Sequence, residues 1–120
     1  MAGMLGVSSD PKQWLVKAEH YLFRAEQVIM GANIPNAPNL KFEDATIMYQ
    51  RAAEAFRVCE KWQEASDAYA KAADIQVRLG CPEEAASYSS EAAETMVKMN
   101  PSEAITYYRN AISLLCEVGR

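Results

Sequence analysis

Few side chains in this chain could do chemistry, and their spacing decides what kind. Histidine occurs once, at His20. A nucleophile–base set, whether Ser-His-Asp or Cys-His, cannot be built with conviction around that single imidazole on the polar edge of a helical pattern. The three cysteines, Cys59, Cys81 and Cys116, are widely spaced and odd in number. They read as free thiols in a reducing compartment, not as a disulfide framework or a metal site, which needs clustered ligands. Two adjacent carboxylate pairs, Glu43-Asp44 and Glu83-Glu84, could suggest acid–base work. Each falls at an expected helix start, where negative charge complements the helix dipole. The five glycines are isolated, so no loop cradles a phosphate. Catalytic residues, cofactor and metal are therefore all expected to be none, and the chain reads as a non-enzyme.

The cations are more informative. Arg57, Lys61, Lys98, Arg109 and Arg120 lie near helix C-termini, turns or polar faces. Singly, each reads as solvated charge, favoured by the dipole where it sits at a helix C-terminus. Together they could line one face and meet an acidic partner. The chain as a whole carries a net charge of −4, which argues against wholesale nucleic-acid binding. No apolar run approaches the length of a membrane span. Met1 to Asp10 lacks the basic start and apolar stretch of a secretory signal.

What must position these cations is a repeat. Glu43-Asp44-Ala45 leads to Tyr49 and Arg51-Ala52-Ala53. Gln63-Glu64-Ala65 leads to Tyr69 and Lys71-Ala72-Ala73. Glu83-Glu84-Ala85 leads to Tyr88 and Glu91-Ala92-Ala93, and Ser102-Glu103-Ala104 to Tyr108 and Asn110-Ala111-Ile112. The matching alanines, Ala45, Ala65, Ala85 and Ala104, stand 20, 20 and 19 residues apart. Each step is one helix and one turn, and two make a helical hairpin of the tetratricopeptide kind. The expectation is an all-α, TPR-like right-handed stack of antiparallel helical hairpins, an α-solenoid fragment forming a single domain over 1–120. Small residues let helix backbones approach closely, and a Tyr or Phe one turn away fills the space beside them.

The expected elements are a flexible tail over 1–9 and helices over 10–30, 42–59, 61–79, 82–99 and 101–117. The first carries one apolar stripe, Trp14, Leu15, Ala18, Tyr21, Leu22, Ala25, Val28 and Ile29. Trp14 reads as core, and Trp62 as a packing residue under a turn. Asp10-Pro11 and Asn100-Pro101 read as N-cap followed by proline, Gly80 as a helix stop and Pro82 as a first-turn residue. The fifth helix has no polar outer face; Ile105, Tyr108, Ile112, Leu115 and Cys116 make it as apolar as its neighbours. An array normally ends in a polar cap, so the chain is expected to be the N-terminal part of a longer protein. Gly31 to Asn39 is the one long connector, with Pro35, Pro38 and three asparagines. Ile29, Met30, Ile34 and Leu40 flank and fill it. They read as tucking onto the first two helices, with weak contact to a lipid surface as the alternative.

Lys41-Phe-Glu-Asp-Ala45, Arg51-Ala-Ala53, Lys61-Trp62 through Ala73, Glu84-Ala-Ala-Ser87, Asn100-Pro-Ser-Glu-Ala-Ile105, Arg109-Asn-Ala-Ile112 and the closing Gly119-Arg120 together resemble the N-terminal half of the alpha-SNAP family. The resemblance covers about residues 12–120. It implies an adaptor of vesicle trafficking and membrane fusion, cytoplasmic and peripheral on membranes. Several copies would hold an assembled SNARE four-helix bundle through basic residues on a concave face and recruit the NSF-type AAA ATPase that takes the bundle apart. It places Arg57, Lys98 and Arg120 at basic positions of that face. It puts exposed phenylalanines in the N-terminal loop, where this chain offers Ile29, Met30, Ile34 and Leu40 instead. It assigns the ATPase contact to a C-terminal region that this chain lacks. The alternative is a generic TPR-type peptide-binding scaffold, which grips a peptide carboxylate with Lys and Asn. Only Asn100 and Asn110 are plausible asparagines for such a clamp.

Overall fold

The computed structural model describes residues 10–31 and 38–119, and for residues 38–41 the backbone alone. Five helices follow in order: α1 (Pro11–Gly31), α2 (Pro38–Val58), α3 (Trp62–Arg78), α4 (Pro82–Met96) and α5 (Pro101–Val118). Each begins on proline except α3, because proline's missing N–H is unpaired at that position anyway and its φ is already helical. Asp10 Oδ1 accepts from the Lys12 N–H at 3.0 Å. Asn100 accepts from the Glu103 N–H at 3.2 Å and its amide donates to Glu103 Oε2, also at 3.2 Å, a reciprocal cap that fixes the start of α5.

Two boundaries differ from those expected. Helix α2 begins at Pro38, four residues before Phe42, because the proline serves as a first helical residue instead of a breaker. Glu43 and Asp44 therefore stand beyond the first turn, which holds no acid, and the dipole role expected of them there is lost. Glu83 and Glu84 do occupy the first turn of α4. Helix α4 ends at Met96, and residues 97–99 form a turn closed by the Asn100 N–H on the Met96 carbonyl at 2.8 Å.

The main packing is between helices consecutive in sequence. Polar ties then join alternate helices. Tyr88 on α4 donates to Gln50 on α2 at 2.9 Å, and Gln63 on α3 donates to Glu103 on α5 at 2.9 Å. The odd-numbered helices thus form one layer and the even-numbered ones the other. The least extent of the molecule, 23 Å, is about two helix diameters. Between the layers lie the alanines of the repeat. Ala45, Ala52, Ala65, Ala72, Ala85 and Ala92 are fully buried, and Tyr49, Phe56 and Tyr69 nearly so. Trp14, Leu15, Tyr21 and Leu22 of α1 pack on the cluster of Ala52, Phe56, Ala65 and Tyr69. His20 is exposed.

Buried polar side chains are few and satisfied. Ser66 Oγ donates to the Ala92 carbonyl at 3.2 Å across α3 and α4, and Gln76 Nε2 donates to Thr46 Oγ1 at 3.0 Å across α3 and α2. An unpaired amide in such a core would cost about 1–3 kcal/mol, so these bonds fix the register between helices. Among the described residues no buried side-chain nitrogen or oxygen lacks a partner. None of the described helices is long and apolar enough to cross a membrane.

Candidate functional site

The repeat brings the C-terminal ends of α2 and α4 side by side in one layer. Both ends carry the negative pole of a helix dipole, which favours cations. Arg57 lies in the last turn of α2. Lys98 lies in the turn that follows α4. The two line one open hollow of about 450 Å³, with Trp62, Glu94, Thr95, Val97 and Met99 as its other walls. Trp62 is half-buried there, packing on Ala93, Met96 and Ala104. Val97 exposes about half of its surface and Met99 most of its own beside the cations.

The two cations are not equivalent. Arg57 Nη1 stands 3.5 Å from Glu91 Oε2, and both side chains are about 40% exposed. The neighbouring Tyr69 hydroxyl raises its pKa most, with Glu91 and Glu94 adding to the effect against a lowering by partial burial. Arg57 is thus an anchored charge. Lys98 is exposed and has no ion pair among the described residues. It is the charge free to meet a partner. The hollow therefore offers a paired guanidinium, an exposed ammonium without an ion pair and an apolar wall, with Glu94 on its rim. That arrangement suits an acidic, partly apolar helical surface. It offers no nucleophile–base pair, and no group of three or more His, Cys, Asp or Glu side chains among the described residues is placed to hold a metal.

Arg120, the third basic residue expected at this face, lies outside the described residues, as do Ile34 and the tail over 1–9. Leu40 belongs to α2, with its side chain outside the description. Ile29 and Met30 part company. Ile29 is tucked against the cluster of Ala25, Tyr49, Ala72 and Ile75, and Met30 is 68% exposed. Phe23 is 60% exposed on α1 and Met99 is 63% exposed at the hollow, two apolar surfaces that the sequence pattern does not announce, while Trp62 packs at the turn as its place at the start of α3 implies. Trp62 carried a signal, since an indole opening a helix must rest on something. Met99 carried none, because its exposure depends on α4 ending three residues early.

The fold is a two-layered array of helical hairpins, and its open hollow carries two cations, Arg57 and Lys98. The sequence model of "Soluble NSF attachment protein, SNAP" matches residues 9–120. The chain belongs to the soluble NSF attachment protein family. It is similar to the gamma-soluble NSF attachment protein of Arabidopsis thaliana, 35% identical over 115 residues, which cover 95% of this chain and 36% of the relative. It is 30% identical to the bovine beta-soluble NSF attachment protein over 105 residues, 88% of this chain and 32% of the relative. Against the human alpha-soluble NSF attachment protein it is 32% identical over 80 residues, 67% of this chain and 27% of the relative. The chain spans about a third of the length of the curated relatives it matches. No solved structure matches it significantly.

Proposed function

We propose that this chain is an adaptor, not an enzyme, that binds assembled SNARE complexes in membrane traffic. The observation that carries the reading is the hollow shared by Arg57 and Lys98 in a chain of this family. A four-helix bundle with acidic outer faces would meet an anchored guanidinium, a free ammonium and an apolar patch at once. Arg120 would extend the same charge. Recruitment of the NSF-type ATPase belongs, on this reading, to a region outside this chain. The protein would act in the cytoplasm, peripheral on membranes. Met30, with Ile29, Ile34 and Leu40 nearby in sequence, would add weak contact with lipid, limited by the small apolar area on offer.

A carboxylate clamp of the tetratricopeptide kind is disfavoured. The Asn100 amide is used in its own helix cap, and Asn110 stands alone on α5. The test is retention of the chain on immobilised, pre-assembled SNARE bundle and, in parallel, on an array of C-terminal tail peptides. Binding to the bundle that falls with added salt, and none to the tails, is expected. Retention by the tails alone would overturn the adaptor reading in favour of a peptide-binding scaffold.

A further inference from the structure

The hollow between the ends of α2 and α4 holds more than charge. One wall is Trp62, fixed because it packs on Ala93, Met96 and Ala104. Val97 and Met99 stand beside it, the first half-exposed and the second mostly so. The one hydroxyl of the lining is engaged: Thr95 Oγ1 donates to the Glu91 carbonyl at 2.8 Å. Among the described residues no buried side-chain nitrogen or oxygen lacks a partner, so nothing polar in the depth of the hollow awaits a ligand. Its ionic groups, on Arg57, Glu94 and Lys98, all reach water.

That distribution selects what can enter. A polar group placed there gives up water and finds no unmatched partner, whereas an apolar group gains by leaving water. The volume, about 450 Å³, admits one leucine, methionine or phenylalanine side chain. Apolar anchors seated in pockets are where binding energy concentrates in protein interfaces. The hollow is also complete within the array. It lies between α2 and α4, which are neighbours in one layer through the Tyr88–Gln50 bond and the Arg57–Glu91 pair. A further helix in the register of the repeat packs on α5 and on the side of α4 away from α2, so it leaves the hollow open.

We infer that the hollow takes one outward-pointing apolar side chain of the SNARE bundle, and that Met99 is the residue that grips it. This rests on the SNARE-binding reading and names what the bundle must offer at that site. Carboxylates three or four positions from the inserted side chain lie on the same helix face and meet Lys98 and Arg57. The occupant is thus a leucine, methionine or phenylalanine flanked by acids, and an acidic run without it binds less well. Methionine suits the grip, because its unbranched thioether adapts to the shape it meets. The two parts of the contact answer differently to salt. Ions screen the cations and leave the apolar insertion intact.

The experiment is the affinity of the chain for pre-assembled SNARE bundle at two salt concentrations that both allow the wild type to bind. The variants are Met99→Ser, Met99→Leu, Lys98→Glu and, as an exposed apolar control on α1, Val16→Ser. Met99→Ser should weaken binding by about five- to tenfold, and by the same factor at both salt concentrations. Met99→Leu should keep most of the affinity, and Val16→Ser should match the wild type. The loss from Lys98→Glu should shrink as salt rises. Met99 is largely exposed, so Met99→Ser should leave the helical circular dichroism unchanged. In a chain labelled with fluorotryptophan, the Trp62 fluorine resonance should move on saturation with the bundle. Binding indifferent to Met99→Ser, a Met99→Ser loss that vanishes with salt, or an unmoved Trp62 signal would overturn the inference and leave the SNARE-binding reading standing. A wild type that binds the bundle at no salt concentration would overturn that reading, and the inference with it.

Discussion

Glu60 and Gly80 hold the same place in successive turns, and only one of them is suited to it. Both have left-handed backbones, with φ of 60° and 77°. After each, the next residue donates its N–H to a carbonyl five residues back, Lys61 to Phe56 and Cys81 to Gln76, both at 2.9 Å. This is the helix-ending arrangement that glycine serves best, since a Cβ in the left-handed region costs about 1–2 kcal/mol. The fold imposes it on Glu60 because the hairpin between α2 and α3 must match the one between α3 and α4. Glu60→Gly should therefore stabilise the chain by about 0.5–1 kcal/mol, the strain relieved exceeding the chain entropy that glycine adds. Gly80→Ala should destabilise it by about 1 kcal/mol, although the space around Gly80 is empty. Paired thermal melts read both signs.

Ala72 is fully buried among Ala25, Ala45, Tyr49 and Ile75. Leucine there would force the backbones apart. Ala72→Leu should destabilise by about 1–3 kcal/mol in urea unfolding. Retained stability would mean that the helices are not held at alanine distance.

Burial raises the pKa of the Tyr49, Tyr69, Tyr88 and Tyr107 hydroxyls, with nearby carboxylates adding to the shift. The folded chain holds these protons more tightly than the unfolded one does. The stability they contribute is fully present below the ordinary phenol pKa of about 10 and is lost as pH rises through the folded values. Melting temperature should accordingly begin to fall above that pH. Tyr69→Phe should flatten part of the fall.

Glu91 holds Arg57 in place across two half-exposed side chains. Such a pair contributes at most about 1 kcal/mol, so Glu91→Gln should scarcely move the melting temperature. It removes a negative charge beside the hollow and frees the guanidinium. Affinity for the acidic bundle should rise several-fold, most clearly at low salt, as titration calorimetry would record.

Much of the fold is legible in the chain. The matching alanines at steps of 20, 20 and 19 give the hairpins, and the apolar stripe of α1 packs inward as its spacing implies. The shortened last step reflects a third turn that closes without any left-handed residue. What the pattern does not carry is the start of α2, because Pro38 can break a helix or open one and only its surroundings decide. The hollow is legible in part. Arg57 and Lys98 stand out as cations at helix ends. Their difference in freedom depends on Glu91, which reaches Arg57 from another helix 34 positions along the chain. No local pattern announces a pairing at that separation.

The most direct test of the adaptor account is the affinity of the chain for assembled SNARE bundle measured with Lys98→Glu and, as a charge-matched control, Lys71→Glu. Lys71 lines a separate hollow with Ile29, Asp74 and Arg78. The account predicts that Lys98→Glu weakens binding by several-fold and erases part of its salt dependence, with Lys71→Glu close to the wild type. Equal affinity for the wild type and Lys98→Glu, or equal losses from both variants, would contradict it.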